Sequence, residues 1–300
     1  MVDDHEFCEC EEVTDDRPIR QGHIFEWLAP EDPWKLLGVV VTANCDIVQE
    51  KHRGILSYIP ILPIAHYLRL FYVPKLLERG RRRLVDELTK TMRDHQAELQ
   101  EFPEPLSELA ALEWALRGTA GEIADELRVD HPRMRAKLIR LIDDYRLVQS
   151  ALKGILAEQV EALVRMRLRQ GGTDAKVRDG AWKDIQSGVD DLPGDCFFIG
   201  CISTGHRSGY VAYLRLVREI QDTHIAIKQS DLRVSPPPPA RRMAQLQSPF
   251  IYRLTQQLAD VFASIGLPDE YDQNRQRLVQ SLATNTPSGA EHKPAPSTSQ

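Results

Sequence analysis

The sequence predicts an α+β protein: a small antiparallel β-barrel split by a long α-helical insertion, with a C-terminal helix packed on the barrel. Three observations predict it. Two sets of short β-branched and aromatic runs, one within residues 23–62 and one within residues 195–232, read as strands bounded by turn residues. Between them, over residues 75–190, the apolar spacing changes to a period of about 3.6. After the proline run Pro236 to Pro239, an amphipathic stretch extends from Ser248 to Ile265. Neither set of strands can bury both of its faces alone, so the two halves are expected to close together around the insertion.

The elements follow in order. Residues 1–20 are polar, acidic and without a usable period, which predicts a flexible arm. The first half of the barrel, residues 21–74, begins at His23 to Leu28, between Gly22 and Pro30. Pro30 and Pro33 then remove two backbone donors and make a loop. Leu36 to Thr42 is the second strand, with the unbroken run Val39, Val40, Val41; Ile55 to Leu62 is the third, closed by Pro60 and Pro63.

The helical insertion, residues 75–190, opens after Pro74 with Leu77, Leu84, Leu88 and Met92 on one face. A second helix covers Ser107 to Arg117. Thr119 with Glu122 three residues on forms the pattern of a capping box for a third. A fourth carries its stripe from Met134 through Leu138, Ile142, Tyr145 and Leu152 to Leu156, and runs until Gly171 and Gly172 stop it. Strands resume in residues 191–234 as the second half of the barrel. Residues 235–281 hold the proline spacer and the C-terminal helix, where Ser248 caps, Pro249 takes the first helical position, and Gly266 with Pro268 ends the run. Residues 282–300 are nearly devoid of apolar side chains and are expected to be disordered.

Composition narrows the function. At 42% hydrophobic and 27% charged, 300 residues suffice for a substantial core. A formal charge of -6 argues against nucleic-acid binding by the whole surface and leaves room for local basic faces, at Arg79 to Arg83 and at Arg133 to Arg140. No apolar run approaches the roughly 18 to 20 residues of a membrane helix. The acidic start is unlike a signal peptide, so the expected compartment is the cytoplasm, away from membranes. Five cysteines, an odd number, fit free thiols in a reducing compartment, so no structural disulfide is expected. His5, Cys8 and Cys10 lack the paired spacing of a zinc site; no metal and no cofactor are expected.

Candidate site residues lie in two places. The apolar strand delivers Thr42, Asn44, Cys45 and Asp46 at its end, a loop suited to a ligand. Cys45 and Asp46 are candidates for a nucleophile and its base, with His23, His206 or Arg207 as the third partner such chemistry needs. The competing reading is a small apolar cysteine beside an aspartate that caps a turn. The same strand end is expected to meet Cys196 to Ser203 across the sheet. In the insertion, Arg133, Arg135, Lys137 and Arg140 are candidates for nucleic-acid contact, against a solvated face on a helical hairpin or an oligomerisation arm.

Three resemblances add to this. GHIFEW, APEDPW, GVVVTANC and ILSYIPILP, within residues 22–63, resemble the opening of the MazF/PemK-like family, which implies an SH3-like barrel and, as an activity, RNA cleavage. Where that family carries an Arg-Pro pair whose arginine takes part in cleavage, this chain has Leu37 and Gly38. The Cys-Asp-Ile motif with the terminal Ile-Gly-Leu-Pro helix resembles a group of largely uncharacterised bacterial proteins associated with mobile elements and phage defence. TAGEIADELRVDHPRMRAKLIRLI, within residues 119–142, resembles a helix-turn-helix, which implies that the second helix faces DNA with Arg133, Arg135, Lys137 and Arg140. It departs at Arg128, where that turn usually has a glycine.

The expected function is a non-enzymatic interaction or regulatory component of a bacterial system, with defence against phage or mobile elements as its setting and nucleic acid as a candidate ligand. A protein partner or a second copy would dock through the helical insertion. The alternatives are a MazF-like endoribonuclease and a helix-turn-helix regulator.

Overall fold

The computed structural model describes residues 7–99, 104–263 and 269–285. Among them, nine strands form one curled, almost wholly antiparallel sheet, a half-barrel: β1 (Cys10–Glu12), β2 (His23–Trp27), β3 (Leu37–Val40), β4 (Ile55–Pro63), β5 (Cys196–Ile199), β6 (Tyr210–Tyr213), β7 (Arg218–Gln221), β8 (Ile225–Ala226) and β9 (Ala240–Leu246). The main path is β1-β9-β2-β3-β4-β6-β5. β7 also pairs with β4, and β8 runs parallel to β9.

β3 lies at the middle of that path and all four of its residues are buried, as a run without polar alternation demands. Gly38 is required there. A Cβ at this position would come within 2.6 Å of both the Phe25 and Tyr58 rings, which meet edge to face across the strand.

The two halves of the sheet join through β4. Its first residues pair with β7, Ile55 opposite Gln221, and its last with β6, Ile61 opposite Ala212. The expected meeting of Thr42 to Asp46 with Cys196 to Ser203 does not occur. β4 and β6 stand between β3 and β5, because β4 is nine residues long and supplies both seams.

The helices are α1 (Asn44–Val48), α2 (Ile64–Tyr67), α3 (Val73–Glu98), α4 (Glu108–Arg117), α5 (Ala120–Glu126), α6 (Pro132–Lys153), α7 (Leu156–Leu168), α8 (Asp174–Asp190), α9 (Ser248–Ala263) and α10 (Asp269–Asn285). A π turn, Leu68–Tyr72, joins α2 to α3 and carries the chain from sheet to helices. Helices α3 to α8 share one core, in which Leu77, Leu88, Met92, Ile123, Leu138, Ile142 and Val148 are fully buried. α9 lays Ile251 and Leu254 on the sheet core, and Gln257 donates to the carbonyls of Gly194 and Cys196.

Several expectations need correction. Residues 7–20 are not a loose arm. β1 pairs with β9, the Glu9 carboxylate accepts the Gly200 and Cys201 amides at 3.0 and 2.9 Å, and Cys8 is joined to Cys201 by a disulfide. The odd cysteine count hid that link, which spans 193 residues and leaves Cys10, Cys45 and Cys196 free.

The long fourth helix is two. Gly154 takes the chain into an extended conformation, and the Glu158 carboxylate then accepts the Ile155 amide to start α7. The apolar stripe continues across that break, which is why spacing alone missed it. The spacer after the prolines contains β9, which pairs with β1, β2 and β8. The strand-like run after Thr223 has only two paired residues before a 3-10 turn. Ile265, Gly266 and Pro268 at the expected helix stop, and residues 286–300 of the expected disordered tail, lie outside the described residues; residues 282–285 belong to α10.

Candidate functional site

At the end of β3 the polar side chains are occupied. Thr42 Oγ1 accepts the Ser57 amide at 2.7 Å, and Asn44 Oδ1 accepts the Gln21 amide at 2.9 Å. The strand has ended by then, so Cys45 and Asp46 are neighbours on the short helix α1. The Cys45 thiol is exposed and lies 3.7 Å from Asp46 Oδ1.

Among the described residues, no third partner completes a nucleophilic set around Cys45 and Asp46. His23 is 1% exposed; its Nδ1 accepts the Arg20 amide at 3.0 Å, so Nε2 carries the proton and donates to Gln245 Oε1. Burial, with Arg242 nearby, holds that imidazole down at about 4, a neutral side chain at ordinary pH. His206 Nδ1 meets Ser203 Oγ at 3.0 Å, and Arg207 sits exposed in the same loop.

His52, which the sequence pattern gave no reason to prefer, bridges the Asp46 carbonyl and the Asp222 carboxylate at 3.3 Å each, beside a cleft with an apolar floor of Ile19, Leu56 and Ile225. It clamps the loop, whose Glu50 and Arg53 both have positive φ. His5 lies outside the described residues. Cys8 is spent in the disulfide, and desolvation, helped by Glu9, pushes the buried Cys10 thiol up to about 12.

The helical block is arranged differently. The capping box forms as its spacing dictates: Thr119 Oγ1 accepts the Glu122 amide at 3.2 Å and the Glu122 carboxylate accepts the Thr119 amide at 2.9 Å. α4, α5 and α6 make a tri-helical unit with Ile123, Ala124, Leu127 and Val129 inside. Arg128 takes φ 48°, the left-handed conformation that the turn of a helix-turn-helix uses, without being a glycine.

The four basic candidates on α6 separate. Arg135 turns toward α5 and pairs with Asp125 at 2.6 Å, so it leaves the shared face. Arg133, Lys137 and Arg140 line a cleft of about 620 Å³ between α3, α6 and α7, together with Arg83, Glu87 and Arg169, over a floor of Leu84, Leu141 and Met166. Glu87 is held by Lys137 at 3.0 Å and Arg169 at 2.8 Å. Arg169 also reaches back to Asp144, which is 2% exposed and takes Arg165 as well.

Arg83, Arg133 and Arg140 remain, exposed and without an acidic partner among the described residues. Three guanidinium groups around one cleft repel one another and attract an anion. Sequence spacing found Arg83 and the α6 cations separately. It had no means of placing Glu87 and Arg169, which come from helices 46 and 32 residues away from Arg133 and Lys137.

The chain matches no family model, no curated protein and no solved structure. No described helix is long and apolar enough to cross a membrane.

Proposed function

We propose that this protein is a non-enzymatic, nucleic-acid-binding regulatory component whose ligand lies in the cleft between α3, α6 and α7. The observation that carries the reading is the set Arg83, Arg133 and Arg140, which face one another over a single carboxylate already neutralised by Lys137 and Arg169. Guanidinium groups left in that state are suited to the forked contacts of phosphate. The concentration of cations in one cleft reconciles local binding with a net charge of -6.

A helix-turn-helix regulator is the second reading, favoured by Arg128 and the tri-helical packing. Against it, a recognition helix enters the major groove as a protruding ridge. Here Arg133, Lys137 and Arg140 line a concavity, and Arg135 is taken by Asp125.

We read the curled sheet as an SH3-like barrel open on one side, on the strength of the β2-β3-β4 meander and its closure by β6, β7 and β9. Ribonuclease chemistry gains nothing from it: the position of the MazF-like Arg-Pro pair is held by buried Leu37 and by Gly38, with no room for a larger side chain.

The test is binding of a labelled oligonucleotide as a function of salt. The double variant Arg133→Ala/Arg140→Ala should keep its circular dichroism spectrum and melting temperature, lose affinity at low salt, and lower the slope of log K against log salt by roughly 1 to 2. A parent protein that shows no binding at about 50 mM salt, or a variant that binds as the parent does, sinks the proposal.

A further inference from the structure

The cleft does not end at Arg83. Lys75, Arg79 and Arg83 follow one another at intervals of four along α3, a single row about 12 Å long on one face of the helix. Gly80 and Arg83 line both the cleft and the next depression along α3; Arg79 lines that depression and a third, of about 620 Å³, which contains Lys75, Arg82 and Phe71. The acidic groups along this path are already held: Glu87 by Lys137 and Arg169, Asp184 by Arg167, and Glu78 by Arg81. Lys75, Arg79 and Arg83 are exposed and have no ion pair among the described residues.

The path ends on aromatic rings. Phe71, in the π turn before α3, stacks on Tyr213 of β6 with centroids 5.4 Å apart and planes at 21°; Trp34 stands against both, 5.6 Å from each. Trp34 is set there by a 3-10 turn, Pro33–Lys35, whose start is capped by Asp32 accepting the Trp34 amide at 2.7 Å. All three rings are half-buried and come from three separate elements. Had they only to cover the small buried cluster of Tyr67, Cys196 and Val211, Phe71 and Tyr213 would suffice, since both pack on it. Trp34 adds a third half-buried ring to that surface. Of the carboxylates beside these rings, Asp195 is paired with Arg215 and Asp32 accepts the Trp34 amide.

A row of unpaired cations leading to a partly exposed aromatic surface matches the needs of one kind of polymer, in which phosphates alternate with accessible flat bases. A duplex offers the phosphates and keeps its bases stacked inside; a single strand offers both. We propose that this path takes a single strand of nucleic acid, with its phosphates along Arg140, Arg133, Arg83, Arg79 and Lys75 and a base stacked on the Trp34, Phe71 and Tyr213 surface. The proposal rests on the nucleic-acid reading above and names the form of the ligand.

The experiment is fluorescence anisotropy of the full chain with labelled single-stranded RNA and single-stranded DNA of about a dozen nucleotides, and with the corresponding duplex. The single strands should bind more tightly than the duplex, and the ratio of RNA to DNA affinity identifies the source. Trp34→Ala should weaken single-strand binding by roughly tenfold or more and leave duplex binding unchanged, while Trp34→Phe restores most of the loss. Arg79→Glu, at an exposed position where folding is not at stake, should weaken the single strand more than the duplex. Equal losses on both forms in Arg79→Glu, tighter binding of the duplex, or full affinity in a folded Trp34→Ala each overturn the single-strand assignment, and the nucleic-acid reading survives if Arg133→Ala/Arg140→Ala still loses binding. Absence of binding to every probe overturns both.

Discussion

The sheet and the helical cleft use polar side chains in opposite ways. In the sheet they are spent on holding distant segments together: Glu9 on the Gly200 and Cys201 amides, His23 on Gln245, Thr42 on Ser57, Gln257 on the carbonyls before and within β5. In the cleft, three arginines have no acidic partner among the described residues. The contrast teaches where to look for a ligand. A polar group that satisfies another part of the chain contributes to stability, and one held in place without a partner is ready for something outside it.

Breaking the Cys8 to Cys201 link tests the sheet side with the largest expected effect. A crosslink spanning 193 residues restricts the unfolded chain, so Cys8→Ala or Cys201→Ala should cost about 2–4 kcal/mol in urea unfolding. Reductant should bring the parent to the same midpoint, and the double variant should be no worse than either single one. A parent insensitive to reductant would show that Glu9 and the β1–β9 ladder hold the segment without the disulfide.

Acid tests the same side through His23. Its folded value of about 4 lies below the ordinary 6.5, so between these limits the unfolded chain binds the extra proton. Stability is therefore whole above about pH 6.5 and falls as pH drops toward 4, by on the order of 3 kcal/mol if nothing relaxes. His23→Gln should flatten this stretch of the stability profile relative to the parent; parallel profiles would show that the ring finds water when it is charged.

The smallest effects sharpen the contrast directly. Thr42→Val removes the acceptor of the Ser57 amide and should cost about 1–3 kcal/mol in chemical denaturation. Arg140→Ala, made in the same background, should stay within about 0.5 kcal/mol of the parent, since it gives up no partner and removes a repulsion. A comparable loss at Arg140 would mean that the cleft is structural.

Much of the secondary structure was legible because its causes are local. The capping box at Thr119, the Ser107 start, the glycine stop at Gly171, the buried run of β3 and the stripe of α9 through Leu254 all depend on residues within a turn or a few positions of one another. Those contacts exist whatever the rest of the chain does, so sequence by itself determined them. It also determined that a helical block lies between strands, since the period of burial changes with the type of element.

Tertiary structure alone decided the rest. β1 has three residues and β9 sets Arg241 and Arg242 side by side, without the alternation of a half-buried strand; each becomes a strand because a partner more than 200 residues away supplies its ladder. The disulfide depends on the curl of the sheet that brings Glu9 onto the Gly200 and Cys201 amides, and the seam at β4 replaces the expected pairing of Thr42 to Asp46. The candidate site is the clearest case. Arg133, Arg135, Lys137 and Arg140 are one basic cluster in sequence, and packing divides them, giving Arg135 to Asp125 and Lys137 to Glu87 and leaving the other two open. Whether a charge is paired depends on which helix stands opposite, and that is settled by the fold of the whole insertion.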